Sequence, residues 1–145
     1  MSIEDNKRIA RRHFEELWTN GNLDVADEIY SPDALGHCGS LPDQTGYPEC
    51  EKELVRQDQV AFPDGVATVL DQIAEGDEVM TRWRFEATQT GVLYGNPASG
   101  HRVSVTGFHV HRIIDSKIVE IWALGDFYSL LTQIDALPTP ETAQA

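Results

Sequence analysis

Ile3, Ala10, Phe14, Leu17 and Trp18 recur at helical spacing along the first segment, and Thr19-Asn20-Gly21-Asn22 then supplies a stop and a turn. Residues 24–30 repeat the logic, with Val25, Ala26 and Ile29 on one side. Ser31-Pro32-Asp33 ends this short second helix, because proline cannot continue the hydrogen-bond ladder. A short strand is expected at 34–37 and a loop at 39–46. A third helix is expected over 49–62, closed by Pro63-Asp64-Gly65.

From there the period changes to two. Val66, Thr68 and Leu70 alternate, and after the Glu75-Gly76-Asp77 turn so do Val79, Thr81, Trp83, Phe85 and Ala87. Residues 91–100 carry three glycines and a proline, which predicts an irregular connection between strands. Alternation resumes over 102–114, turns at Asp115-Ser116 and continues over 117–124. Phe127, Leu130, Leu131 and Ile134 then share one side of a closing helical turn.

Helices followed by long antiparallel strands predict an α+β fold, with the helices packed on one side of a strongly curved, cone-shaped sheet. The expected organisation is one domain over residues 1–137 and a loose tail over 138–145.

A chain of 145 residues is long enough to bury one hydrophobic core and too short for two ordinary domains. The net charge of −13 repels phosphate backbones and anionic headgroups, which argues against nucleic acid or a membrane as partner. No apolar run approaches the ~20 residues of a membrane helix. The first residues lack a cationic start and apolar stretch, so a cytoplasmic location is expected. Cys38 and Cys50 are too far apart for a redox pair and lack a clear second ligand pair for zinc, so both are read as free thiols.

The punctuation of the chain carries a resemblance. It runs through Leu17-Trp18, Gly21-Asn22-Leu23-Asp24, Ala26-Asp27-Glu28, Ala61-Phe62-Pro63-Asp64, Glu75-Gly76-Asp77, Gly95-x-Pro97-x-Ser99-Gly100, Lys117-Ile118-x-Glu120-x-Trp122 and Leu130-Leu131-x-Gln133. In this order the signals resemble the SnoaL-like polyketide cyclases, an ester cyclase family of the NTF2-like fold, over most of the chain. The resemblance implies a cone with an internal apolar pocket, a hydrophobic small-molecule substrate, a homodimer and no metal or organic cofactor. It further implies an intramolecular aldol closure of a polyketide ester, using a histidine and an acidic residue on neighbouring strands.

The family histidine falls on His109, whereas the position of the family's catalytic aspartate holds Ala123, which can neither take nor give a proton. Asp126, three residues on, is the substitute base that the resemblance offers. Strand alternation places it with Trp122 and Leu124, opposite position 123, unless Gly125 bulges. It also precedes Phe127-Tyr128-Ser129 as a helix cap would.

An apolar cavity raises a carboxylate towards neutrality, and an enolate oxygen needs a donor that His109 or Tyr30 can supply. His111 makes a His-x-His pair with His109, a metal pattern if His37 or His101 came close. The expected substrate-facing residues are Trp18, Tyr30, His37, Trp83, Gln89, His111 and Trp122. Gln89 stands where family members often carry a histidine. The leading expectation is a cofactor-independent cyclase or isomerase using Asp126 and His109. The alternatives are an epoxide or ester hydrolase in the same cavity, and a non-catalytic small-ligand binder.

Overall fold

The computed structural model describes residues 2–39 and 41–138. The first helix, α1 (Ile3–Arg12), opens on a capping box. The Ser2 hydroxyl accepts from the Asp5 backbone N–H, and the Asp5 carboxylate takes the Ser2 N–H in return. The helix does not simply continue to Trp18. Residues His13–Thr19 are wound as a π-helix, and this wider turn buries His13, Phe14 and Leu17 together.

After α2 (Asp24–Ile29) the chain enters β1 (Tyr30–Cys38) earlier than its sequence predicts. Ser31-Pro32-Asp33 therefore lies inside a strand instead of ending a helix. The register slips here, between the pairs Tyr30 with Ile118 and Leu35 with Glu120. An edge strand tolerates proline because its outer side needs no ladder bond. Helix α3 (Tyr47–Ala61) follows, then β2 (Val66–Glu75), β3 (Glu78–Thr88), β4 (Arg102–Ile114), β5 (Lys117–Gly125) and α4 (Phe127–Gln133).

The sheet order is β1-β5-β4-β3-β2, with β1 parallel to β5 and the other neighbours antiparallel. The sheet is curved, and the architecture is the α+β cone that the sequence predicts. A register shift between Arg112 and Ile113 and another between Val69 and Asp71 give β4 and β2 their bends. Two buried clusters fill the concave side. One is built on Tyr30, Tyr47, Ile118 and Ile121, the other on Phe14, Phe62, Phe85 and Leu130, and Trp18 packs against both.

Residues 91–100 form the irregular connection that their glycines predict, with Tyr94 and Gly95 both at positive φ. Among the described residues no helix is long and apolar enough to cross a membrane. Of the tail expected from residue 138 on, everything after Pro138 lies outside the described residues.

Candidate functional site

Strand β4 turns Val103, Val105, Gly107, His109, His111 and Ile113 towards the helices, and β3 does the same with Trp83 and Phe85. The Trp83 ring packs against the backbone at Gly107 and Gly125. A Cβ on Gly107 would stand 2.3 Å from the indole, and one on Gly125 would stand 3.1 Å from it. Held there, Trp83 donates its Nε1–H to Nδ1 of His109 at 2.7 Å.

An indole nitrogen only donates, so His109 Nδ1 must accept and the ring carries its proton on Nε2. Loss of solvation lowers the His109 pKa to about 4, although the Phe108 backbone opposes the shift. At neutral pH His109 is thus an uncharged Nε2–H donor. It stays half-buried, surrounded by protein yet reached by solvent, and so does its cross-strand partner Ala123.

Behind His109 lies a sealed polar network. His13, Tyr30, Glu51 and His111 are each at most 1% exposed. The Tyr30 hydroxyl meets His13 Nδ1 at 2.8 Å and His111 Nε2 at 3.5 Å, so it donates to one imidazole and can accept from the other. His13 Nδ1 stands 3.4 Å from Glu51 Oε1, which also accepts a short bond from Trp18 Nε1. The three histidine rings pack with centroids 5.0 to 5.8 Å apart, and the Phe14 ring meets His109 edge-on at 5.2 Å.

Desolvation favours the neutral form of every ionisable group in this network. Burial holds His13 and His111 well below the ordinary histidine range, with neighbouring histidines adding to the effect. It holds Tyr30 well above the phenol range, and it raises Glu51 to about 7 against the hydrogen bonds that favour its charge. Among the described residues, Glu51 Oε2 and His111 Nδ1 have no hydrogen-bond partner.

Several expected site residues fall elsewhere. Asp126 is exposed and caps α4, its Oδ1 accepting the Ser129 N–H at 3.0 Å. Gly125 does not bulge it inward, so it does not share the interior with His109. His37 and Trp122 stack on the convex face, 5.3 Å between centroids, and His37 bridges Asp43 and Glu120 there. Alternation explains both, because Ile121 and Ala123 point inward and Trp122 must then point out.

Gln89 is fully buried, but its amide ties the 91–100 connection together. It donates to the carbonyls of Gly91, Asn96 and Pro97 and accepts from the Ser99 N–H. Tyr30 and His111 lie inside the sealed network instead of on an exposed wall. Trp18 and Trp83 do face the interior, half-buried, with His109. His101 sits apart, bound to the Gln133 carbonyl, and among the described residues no group of three ligand-type side chains could hold a metal ion.

The sequence reading missed His13 and Glu51, although the signals were present. His13 stands between Ala10 and Leu17 on the apolar stripe of the first helix. Glu51 stands between Tyr47 and Val55 on that of α3.

The sequence pattern of the SnoaL-like polyketide cyclases matches residues 8–134. Among solved structures, the chain is similar to AclR from Streptomyces galilaeus, a candidate hydroxylase, at 26% identity and a TM-score of 0.83. That alignment covers 94% of this chain and all of the other. It is similar to IdmH from Streptomyces antibioticus, a candidate polyketide cyclase, at 26% identity and a TM-score of 0.77, covering 90% and 98%. A candidate SnoaL-like cyclase from a Jannaschia species shares the fold at 24% identity and a TM-score of 0.83, covering 95% and 98%. No curated protein matches. By the match over residues 8–134, the chain belongs to the SnoaL-like polyketide cyclase family.

Proposed function

We propose that this protein closes a ring in a hydrophobic, polyketide-like ester by acid–base chemistry in its concave interior, without a bound cofactor. Family membership supports a cyclase-type activity. The observation that carries the finer reading is the Trp83–His109 bond, which presents a neutral Nε2–H from a desolvated wall. An oxyanion developing on the substrate gains most from a fixed donor in such surroundings. Around this donor, Trp18 and Trp83 supply apolar surface for a flat substrate. Among the described residues no Lys or Arg is buried, which suits an uncharged ester.

The chemistry conserves atoms. A carbon next to a carbonyl gives up a proton, and His109 donates to the oxygen that takes the electron pair. The carbanion attacks a ketone of the same molecule, and the new alkoxide takes a proton back. The sealed network of His13, Tyr30, Glu51 and His111 holds the His109 ring in place. The test is a synthetic aryl β-keto ester with a ketone placed for six-membered closure. A cyclase gives the β-hydroxy ring, a hydrolase gives the free acid, and a pure binder returns the ester unchanged.

We also propose a homodimer through the convex face. Phe108 and Leu124 pair across β4 and β5 there and are 47% and 65% exposed beside Trp122.

A further inference from the structure

The mechanism needs a carboxylate that can touch substrate. Ala123 has none, Asp126 is a cap and Glu51 is sealed. Helix α3 carries one more candidate. Tyr47, Glu51, Val55 and Ala61 are its buried stripe, each at most 1% exposed. At about 100° per residue, position 58 falls within the arc that these four define. Asp58 therefore points inward, towards the side on which Glu51 meets His13.

Asp58 is nonetheless half-buried and not sealed, between the exposed Gln57 and Gln59. Phe62, one turn on, shares a buried cluster with Phe14, the ring that packs against His109. The connection over residues 91–100 borders the same end of α3. The N–H groups of Thr90 and Gly91 bond the Ala61 carbonyl, and the Asp58 charge is felt by Tyr94.

No hydrogen bond or ion pair holds the Asp58 carboxylate among the described residues. Burial alone raises it to about 7, where a carboxyl can both take and give a proton. A surface carboxylate with a structural task is bonded to something, as Asp64, Asp71 and Asp126 are here.

We propose that Asp58 is the catalytic acid–base group of this chain, replacing from α3 the carboxylate that β5 lacks at Ala123. The assignment rests on the ring-closure reading above. Asp58 removes the proton from the carbon acid, the electron pair moves onto the carbonyl oxygen held by His109, and the new carbon–carbon bond leaves an alkoxide. Asp58 then returns its proton to that alkoxide. Nothing is oxidised or reduced.

The experiment measures closure of the aryl β-keto ester by wild type, Asp58→Asn, and Asp58→Asn combined with Ala123→Asp. Asp58→Asn should lower kcat about 10³-fold. Ala123 is the cross-strand partner of His109, so the second substitution should restore at least about tenfold of that loss. Asp58→Asn activity within threefold of wild type would overturn the assignment and leave the cyclase reading standing.

Should wild type fail to close the ester, that reading falls, and Asp58 is judged by ligand contact alone. With carboxyl-labelled aspartate, its ¹³C signal should move when 2-naphthol, an enol mimic, is added. An unmoved signal would refute its place in the site.

Discussion

Trp83 Nε1 donates to His109 Nδ1 at 2.7 Å, and this one bond decides which nitrogen of His109 can serve a substrate. In long-range ¹H–¹⁵N spectra, His109 should be a neutral Nε2–H imidazole from pH 5.5 to 8, because its pKa of about 4 lies below that window. Trp83→Phe should leave a mixture of tautomers and lower ring closure by roughly tenfold.

Glu51 titrates in the folded protein at about 7, above the ordinary carboxyl value. Between roughly pH 4.5 and 7 the folded state then binds more protons than the unfolded one, so this group costs stability as pH rises through that window. Glu51→Gln removes the cost. Urea unfolding should show the variant gaining about 3 kcal/mol on wild type between pH 4.5 and pH 8, and an equal difference at both pH values would refute the shift.

Tyr30→Phe deletes the hydroxyl that His13 and His111 share. Leaving buried ring nitrogens without that partner should cost about 1–3 kcal/mol of stability by denaturant titration. A neutral substitution would mean that the two histidines do not depend on Tyr30.

Gln89→Leu keeps the volume of the side chain but strands three carbonyls and the Ser99 N–H. We expect a loss of about 2 kcal/mol, and faster hydrogen exchange at Ser99 and at the Gly91 and Asn96 amides, while exchange in β4 stays slow.

Much of the fold was legible in the sequence, because the change from helical spacing to alternation at Val66 marks where the run β2 to β5 begins; β1, set among the helices, was legible only in part. His109, Trp18 and Trp83 could be placed on the concave side by alternation, spacing and resemblance together. The π-turn at His13 could not, since nothing local distinguishes it from a continuing α-helix. Resemblance and residue type point Asp126, His37 and Trp122 at the pocket, whereas parity along the strand puts Asp126 with Trp122 outside, where the structure has them. Glu51 and Asp58 escaped notice because a charged residue in a helix is ordinarily read as solvent-facing. Only their positions relative to Tyr47 and Val55 say otherwise.

The central claim is that His109, presented by Trp83 on the concave wall, stabilises the transition state of a ring closure. Its most direct test compares the rate at which wild type and His109→Phe close the aryl β-keto ester under the same metal-free conditions. The account predicts closure well above the buffer rate by wild type and a loss of roughly 10²-fold or more in the variant. Closure at the buffer rate by wild type, or equal rates for both proteins, would contradict it.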